Sequence, residues 1–432
     1  MEIIWYTNQI SMKLDIDFGD NMNQVLPLIG RKSISILLGA GFSAPMGYPI
    51  GNKLNKSLLN FDDIKIDFAP CGSLVTSTNT RSQFQTDGVN NIHQKYFIFC
   101  KRLIKEYTEA HNNRFDYEQF YDFIKTEEAK QERYQRLCND LLEDYENYEQ
   151  YLFNILHIYN QMVAHLIKDK NGKTYYDDEL FKMNYFDGYN GFLTYLSELS
   201  CEYIVNVHTL NHDLLFESFN KTDFINGNIS DGFDEYGSEY YGKLLVKNKD
   251  DKSYRTYHCR LERYKGRYNT PIRLFKLHGS LDYVPFYRRD EYGFLFPENY
   301  VKIKKGIGAG DIMKSCKSKM KYDISPFEYH ADFLTGTTSK IQRYNEPLLF
   351  RKMFKKFRKN LRNAEKLIII GYGCKDEGIN EMIKENFDYK HKKIFIVDTY
   401  AKDGSQVDRF REELQAKLIR VQINDINKKL FD

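Results

Sequence analysis

The sequence predicts an α/β fold in which a mostly parallel sheet carries helices on both faces, together with a helical insertion domain. Three observations predict it. Short apolar runs of strand length recur at wide intervals, each run ends in Gly, His or Asp, and a helix-like pattern follows each. Strands covered on both faces read as continuous apolar runs, whereas a half-solvated antiparallel strand alternates. The runs are 34–38, 203–207, 274–277, 367–370, 394–397 and, more weakly, 418–423.

The first run, Ile34-Ser35-Ile36-Leu37-Leu38, ends in a glycine turn. The longest gap follows, over 51–199, where 91–111, 117–125 and 134–168 place apolar and aromatic residues at helical spacing with charges between them. This gap is assigned as the helical insertion, and residues 1–50 and 200–432 as one discontinuous sheet domain. Two further gaps, 220–271 and 281–349, are rich in Gly, Asp, Asn and Tyr and read as loops and short hairpins, the second with a Lys-rich GIGAG loop at 306–310. Before the run at 367, Phe350, Phe354, Phe357 and Leu361 recur at helical spacing with Lys352, Lys355, Lys356, Lys359 and Arg362 interleaved. That pattern predicts a solvated helix packed on the sheet in preference to a nucleic-acid surface.

Composition narrows the function classes. The 432 residues carry 63 Lys and Arg against 60 Asp and Glu, a net charge of +3, which gives no basis for direct nucleic-acid binding or for a membrane surface. At 42% hydrophobic and 28% charged, the chain is globular, and 34 Tyr and 31 Phe against one Trp predict a core built largely from rings. Seven cysteines at 71, 100, 138, 201, 259, 316 and 374 form no CxxC pair, which predicts a reduced interior without a zinc ribbon. No apolar stretch reaches the ~18 residues of a membrane span, so a cytoplasmic location is expected.

The residues that carry chemistry stand at the ends of the runs. Gly39-Ala40-Gly41-Phe42-Ser43-Ala44 fits GxGxxG/A where a strand yields to a turn and a helix, the Rossmann-like arrangement in which glycines let backbone N–H groups approach a pyrophosphate. Asp62 and Asp63 lie at the distance of a ribose-binding acid, but no strand pattern precedes them, which lowers a dehydrogenase reading. After the second run, Thr209, Asn211 and Asp213 would face the same cleft, although Asp213 also suits a helix N-cap. His208 and His212 stand four apart without a clear third ligand, so no metal site is assigned. Leu277-His278-Gly279-Ser280 ends the third run, and an imidazole there can accept a proton near neutral pH. Gly371-Tyr372-Gly373-Cys374-Lys375-Asp376 and Val397-Asp398-Thr399 end the later runs and offer small and acidic residues to a nucleoside.

Taken in order, GAGFS at 39–43, TLNHD at 209–213, KLHGS at 276–280, IIGYG at 369–373 and IFIVD at 394–398 resemble the sirtuin superfamily, and TGTTSK at 335–340 looks like its bacterial branch. The resemblance covers about half of the chain. It implies that Gly39, Ala40, Gly41, Phe42 and Ser43 cradle the NAD phosphates, with Thr209 and Asp213 beside them. Asn211 and His278 become the catalytic pair, and Gly371, Tyr372 and Asp398 lie toward the adenosine half. Two departures count against peptide deacylation: the absent CxxC pairs, and Pro45-Met46-Gly47-Tyr48-Pro49 where deacylases carry Pro-Asp-Phe-Arg. The pattern is similar to the bacterial antiphage-defence branch, which implies an NAD hydrolase without zinc that depletes NAD when triggered, in the manner of abortive infection. By the same family habit a homo-oligomer is expected, with a separate trigger such as a HerA-type ATPase or an Argonaute-like protein. The competing readings are a catalytically silent nucleotide-binding or scaffold subunit and an NAD-dependent protein deacylase.

Overall fold

The computed structural model describes Leu28 and residues 30–61, 66–68, 74–76, 92–142, 147–172, 188–247, 253–304, 307, 311–316, 321–324 and 331–432. Asp62, Asp63 and most of the GIGAG loop lie outside the described residues.

Seven parallel strands form the central sheet: β1 (Ser33–Leu38), β2 (Ile204–Thr209), β3 (Ile229–Ser230), β4 (Ile272–Lys276), β5 (Ala364–Ile370), β6 (Lys393–Val397) and β7 (Lys417–Ile419). Their spatial order is β7-β6-β5-β1-β2-β4-β3. The chain moves outward from β1 on one side and returns on the other with β5, so the order reverses beside β1, where open α/β sheets place their ligand crevice. This is a Rossmann-like α/β fold.

Alternation along each strand separates two cores. Ile34, Ile36, Leu38, Val205, Val207, Ile368 and Ile370 face one side, and Leu37, Phe275, Leu367, Ile369, Ile394 and Ile396 face the other. Both faces are buried, which is why the strands read as unbroken apolar runs. The described helices of eight or more residues, with three shorter ones that carry site contacts, are α1 (Ala40–Ser43), α2 (Gly51–Leu59), α3 (Ile92–Ala110), α4 (Tyr117–Phe123), α5 (Tyr148–Leu166), α6 (Asn190–Glu202), α7 (Thr338–Arg343), α8 (Phe350–Asn363), α9 (Glu377–Asn386) and α10 (Gln406–Glu413). The first core continues into α3 through α6, and the second is closed by α8, α9 and α10.

Rings build much of this interior. Tyr107, Phe120 and Tyr159 meet from three helices, with the Phe120 ring edge-on to Tyr107 at 5.2 Å and tilted against Tyr159 at 5.1 Å. The Asp116 carboxylate starts α4 by accepting from the Glu118 and Gln119 N–H groups. The basic segment behaves as its spacing predicts: Phe350, Met353, Phe354, Phe357 and Leu361 of α8 are buried, while Lys352, Lys355 and Lys359 are exposed. Phe357→Ala should lower unfolding free energy by about 3–5 kcal/mol, because the cavity left at a fully buried ring relaxes only in part. Denaturant midpoints at constant slope measure this loss.

The gap regions contain antiparallel ladders. Tyr283–Arg289 pairs with Leu295–Lys302, and Tyr240–Lys247 pairs with Tyr254–Arg260. The two-residue β3 joins the main sheet from a stretch read as loop, because a run this short carries no periodic signal. At the carboxyl end, β7 stops at Ile419, short of the 423 to which the run was expected to extend, and 423–425 form a helical turn. Among the described residues no helix is long and apolar enough to cross a membrane.

Candidate active site

The glycine turn after β1 is shaped by contact with β5. The Gly39 N–H donates to the Ile370 carbonyl at 3.0 Å and the Gly41 N–H to the Gly371 carbonyl at 2.8 Å. A Cβ on Gly41 would stand 2.8 Å from the Gly371 backbone, and one on Gly371, whose φ is +61°, would stand 2.4 Å from the Phe42 nitrogen. Only glycine permits this approach. These two N–H groups are therefore donated within the protein, and both glycines serve the close packing of the turn on β5. The Phe42 ring also departs from a ligand role: it is buried among Tyr189 and Phe192, with centroids at 5.4 and 4.9 Å.

Asn211 stands two residues beyond β2, and its backbone N–H donates to Thr209 Oγ1 at 3.1 Å. Its Nδ2 donates to the Gly39 carbonyl at 3.0 Å and to Ser43 Oγ at 2.9 Å. A carbonyl can only accept, so these bonds define the amide orientation and leave Oδ1 as the free polar atom. These bonds tie two of the sequence motifs, GAGFS through Gly39 and Ser43 and TLNHD through Asn211, into one unit.

Asp213 is buried, which pushes its carboxyl above the ordinary value against the pull of Lys276. Its Oδ1 accepts from the Leu215 N–H at 3.0 Å, so it orders the turn ahead of a one-turn helix at 215–218. His208 and His212 do not face one another. The His208 ring lies in the core against Phe275 and Phe357, where burial lowers its pKa to about 3, whereas the His212 ring packs on Phe333. Among the described residues no three His, Cys, Asp or Glu side chains are grouped to hold a metal.

His278 stands two residues beyond β4, the strand paired with β2 in the register Thr209 to Lys276. Gly279, at φ +82°, turns the chain so that the Leu334 N–H donates to the His278 carbonyl at 2.7 Å. The His278 Nε2 lies 3.3 Å from Asp376 Oδ2, within ion-pair reach though off the line of a hydrogen bond. Asp376 also receives Lys340 Nζ at 3.0 Å and the Tyr344 hydroxyl at 3.3 Å. Burial alone would raise the Asp376 carboxyl, but His278 and Lys340 hold it well below the usual carboxylate range.

Gly371 sits at the crossing with the glycine turn, and the Tyr372 hydroxyl donates to the Asp376 carbonyl at 3.0 Å or to Asn380 Oδ1 at 2.9 Å, and accepts from the Asp376 N–H. Tyr372 therefore organises Asp376, a different task from the nucleoside contact expected of it. Asp398 directly follows β6, the strand next to β5, and its Oδ1 accepts from the Tyr400 N–H at 2.8 Å.

Beneath the site lies a group that the motifs contained without revealing its task. Lys276 is fully buried at the end of β4, with Nζ donating to the His212 and Asp213 carbonyls and 2.9 Å from Glu217 Oε1. It clips the TLNHD loop to the KLHGS loop. Neither Glu217 oxygen has a hydrogen bond among the described residues, and burial raises its carboxyl to about 7 despite Lys276. A lysine between the buried Phe275 and Leu277 of a parallel strand end is itself a signal, since a buried ammonium requires a partner.

A second connection reaches the helical region. The Asp122 carboxylate accepts from the N–H groups of Thr337, Thr338 and Ser339 at the start of α7. Burial raises its pKa, but the bonds from Ser339 and Thr337 prevail and bring it down to about 2. A depressed carboxylate stabilises the fold above the unfolded value near ~3.9 and loses that contribution as pH falls toward the folded one. Asp122→Asn should therefore flatten the stability decline between about pH 4 and pH 2, read from urea midpoints.

No protein-family model matches the chain, and no curated protein matches it. Among solved structures, it is similar to a Sir2 enzyme studied for mechanism and regulation, with 10% identity over 92% of this chain and 90% of that one and a TM-score of 0.32. It is also similar to a Sir2 homologue solved as an NAD complex, with 11% identity over 92% and 86% of the two chains and a TM-score of 0.33. A third is a Sir2 variant with a deacetylated p53 peptide and 3'-O-acetyl ADP ribose, with 11% identity, 92% of each chain and a TM-score of 0.28.

Proposed function

We propose that this chain hydrolyses NAD to nicotinamide and ADP-ribose, with Asn211 and His278 acting on the ribose. The observation that carries the reading is the placement of these two residues two positions past the ends of paired strands, beside the glycine turn at the reversal of strand order.

The chemistry suits these groups. Cleavage of the nicotinamide–ribose bond returns the bonding electrons to the nicotinamide nitrogen, which departs neutral, while positive charge grows on the ribose. Water then adds to the sugar carbon and releases a proton. The transition state resembles the oxocarbenium ion of glycoside hydrolysis, but this leaving group needs no general acid. Asn211, with both amide hydrogens held by Gly39 and Ser43, turns Oδ1 toward a ribose hydroxyl or the incoming water. His278 takes the proton from that water or from a ribose hydroxyl. Fixing both partners in one geometry lowers the entropic part of the barrier.

Uncontrolled NAD loss would harm the cell that makes the protein, so the proposed setting is a defence effector that is idle until triggered and acts as an oligomer with a separately encoded partner. A silent nucleotide-binding subunit is the second reading, favoured by the internal bonding of the Gly39 and Gly41 N–H groups. The two separate in one assay: purified protein is incubated with NAD, alone and with candidate partners, and nicotinamide and ADP-ribose are measured. Stoichiometric release of both supports hydrolysis. NAD binding without release in every arm supports the silent subunit.

A further inference from the structure

The sequence pattern at 335–340 matters through its position. The segment leading into it grips His278 from behind: the Leu334 N–H bonds the His278 carbonyl, and Phe333 bridges Gly279. The segment itself is seated on the helical region. Thr335 Oγ1 meets Asn160 Oδ1 of α5 at 3.0 Å, Asp122 of α4 caps 337–339, and Lys340 reaches Glu118 of α4 at 3.2 Å. Gly336, at φ +98°, lies so close that a Cβ would stand 2.3 Å from Asp122 Oδ1. Lys340 is buried between two carboxylates, Glu118 and Asp376, and Asp376 in turn faces His278.

We propose that Asp376 is a positioning residue for His278, tethered through Lys340 to Glu118, so that turnover requires the helical region to be seated on the 335–340 segment. The inference rests on the reading of His278 as the proton acceptor.

The physical argument concerns the imidazole. A carboxylate can only accept, so Asp376 at Nε2 favours the tautomer with the proton on Nε2 and leaves Nδ1 as the basic nitrogen. Hydrogen bonds of this kind are commonly long and poorly aligned until substrate is bound, in keeping with the 3.3 Å contact. Asp376 must itself be held. Its Oδ1 accepts from the Ile379 N–H at the start of α9, its backbone is fixed by Tyr372, and Lys340 balances its charge. Lys340 shares its ammonium with Glu118, more than 200 residues away in sequence. Loss of Glu118 removes one of the two anions that localise the ammonium, and loss of Gly336 displaces Asp122 and the start of α7.

Asp376→Asn retains the size of the side chain and its ability to cap α9. It should lower kcat for NAD consumption about 10- to 100-fold, less than the ~10²–10⁴ of a whole general base, with KM changed less than about twofold. Glu118→Gln should lower kcat in the same direction by a smaller factor, and the double variant should be no worse than Asp376→Asn, since the two act in series. A loss of folded protein would reduce active enzyme without making the pair non-additive. Nitrogen NMR of histidine-labelled full-length protein, with the His278 signal assigned by its absence in His278→Ala, reads the tautomer without turnover. The wild type should show Nε2–H, and Asp376→Asn a mixture. Wild-type kcat in Asp376→Asn, additive losses in the double variant, or identical ring signals in the two proteins would overturn the proposal. If the wild type consumes no NAD, the hydrolase reading fails and the ring signals alone decide the role of Asp376.

Discussion

His278→Ala and Asn211→Ala should each bring NAD consumption close to background while the protein keeps its fold. For His278 the expected loss is about 10²- to 10⁴-fold, the range associated with removing a general base. The ring stands at the surface of the second core, where its neighbours Tyr344 and Asp376 remain fixed by Tyr372 and Lys340. Its removal therefore deletes the proposed proton acceptor without opening the sheet. Asn211→Ala also removes the amide bonds to the Gly39 carbonyl and the Ser43 hydroxyl, and since the Gly39 carbonyl keeps the Phe42 N–H and Ser43 keeps Asp213, each lost bond should cost only about 0.5–1.5 kcal/mol of stability. Asn211→Asp is the sharper control: it keeps the shape but removes both donors. Melting curves run beside the nicotinamide assay separate the two effects. Wild-type rates in both alanine variants would sink the assignment of the pair.

Lys276→Met should be the most destabilising single change near the site, and its cost should depend on pH. Removal of one partner from a buried ion pair commonly costs about 3–5 kcal/mol, because the remaining charge is left uncompensated. Here that charge is Glu217, whose carboxyl burial already raises to about 7. Without the ammonium its folded pKa rises further above the unfolded value near ~4.3. A group raised on folding contributes stability that is complete below its unfolded pKa and disappears as pH rises through the folded one. Lys276→Met should accordingly be closest to wild type near pH 5 and furthest from it at pH 8. Adding Glu217→Gln should remove most of that pH dependence. Denaturant midpoints at the two pH values test this, and a cost that is the same at both would show that Glu217 stays charged in the variant. The His212 and Asp213 carbonyls also lose their common donor, so the TLNHD loop should exchange its amide hydrogens faster.

Much of the architecture could be read from the chain because both sheet faces are covered. Burial on both sides makes β1, β2, β4, β5 and β6 predominantly apolar, and the turns after them collect the Gly, His and Asp residues of a crevice. What escaped the reading has equally physical grounds. The two-residue β3 is too short for a period to register, and β7 is half-exposed and ends early. The glycines of the first turn were visible, but their partner, Gly371, lies over 300 residues away, so the internal use of their N–H groups was not. Lys340, Glu118 and Asp376 are ordinary surface-type residues in sequence, brought together only by the seating of α7 on α4. Lys276 also went unread, although a lysine between Phe275 and Leu277 is a signal that a buried counter-ion is needed.

The strand order has a consequence for biosynthesis. β1 sits at the centre of the sheet, yet one of its two neighbours, β5, is translated more than 300 residues later. At typical elongation rates of about 5–20 residues per second, one edge of this mostly apolar strand stays uncovered on the ribosome for roughly 15 s to a minute. The nascent chain should therefore depend on holdase chaperones during that interval, and slower translation should increase the fraction that aggregates.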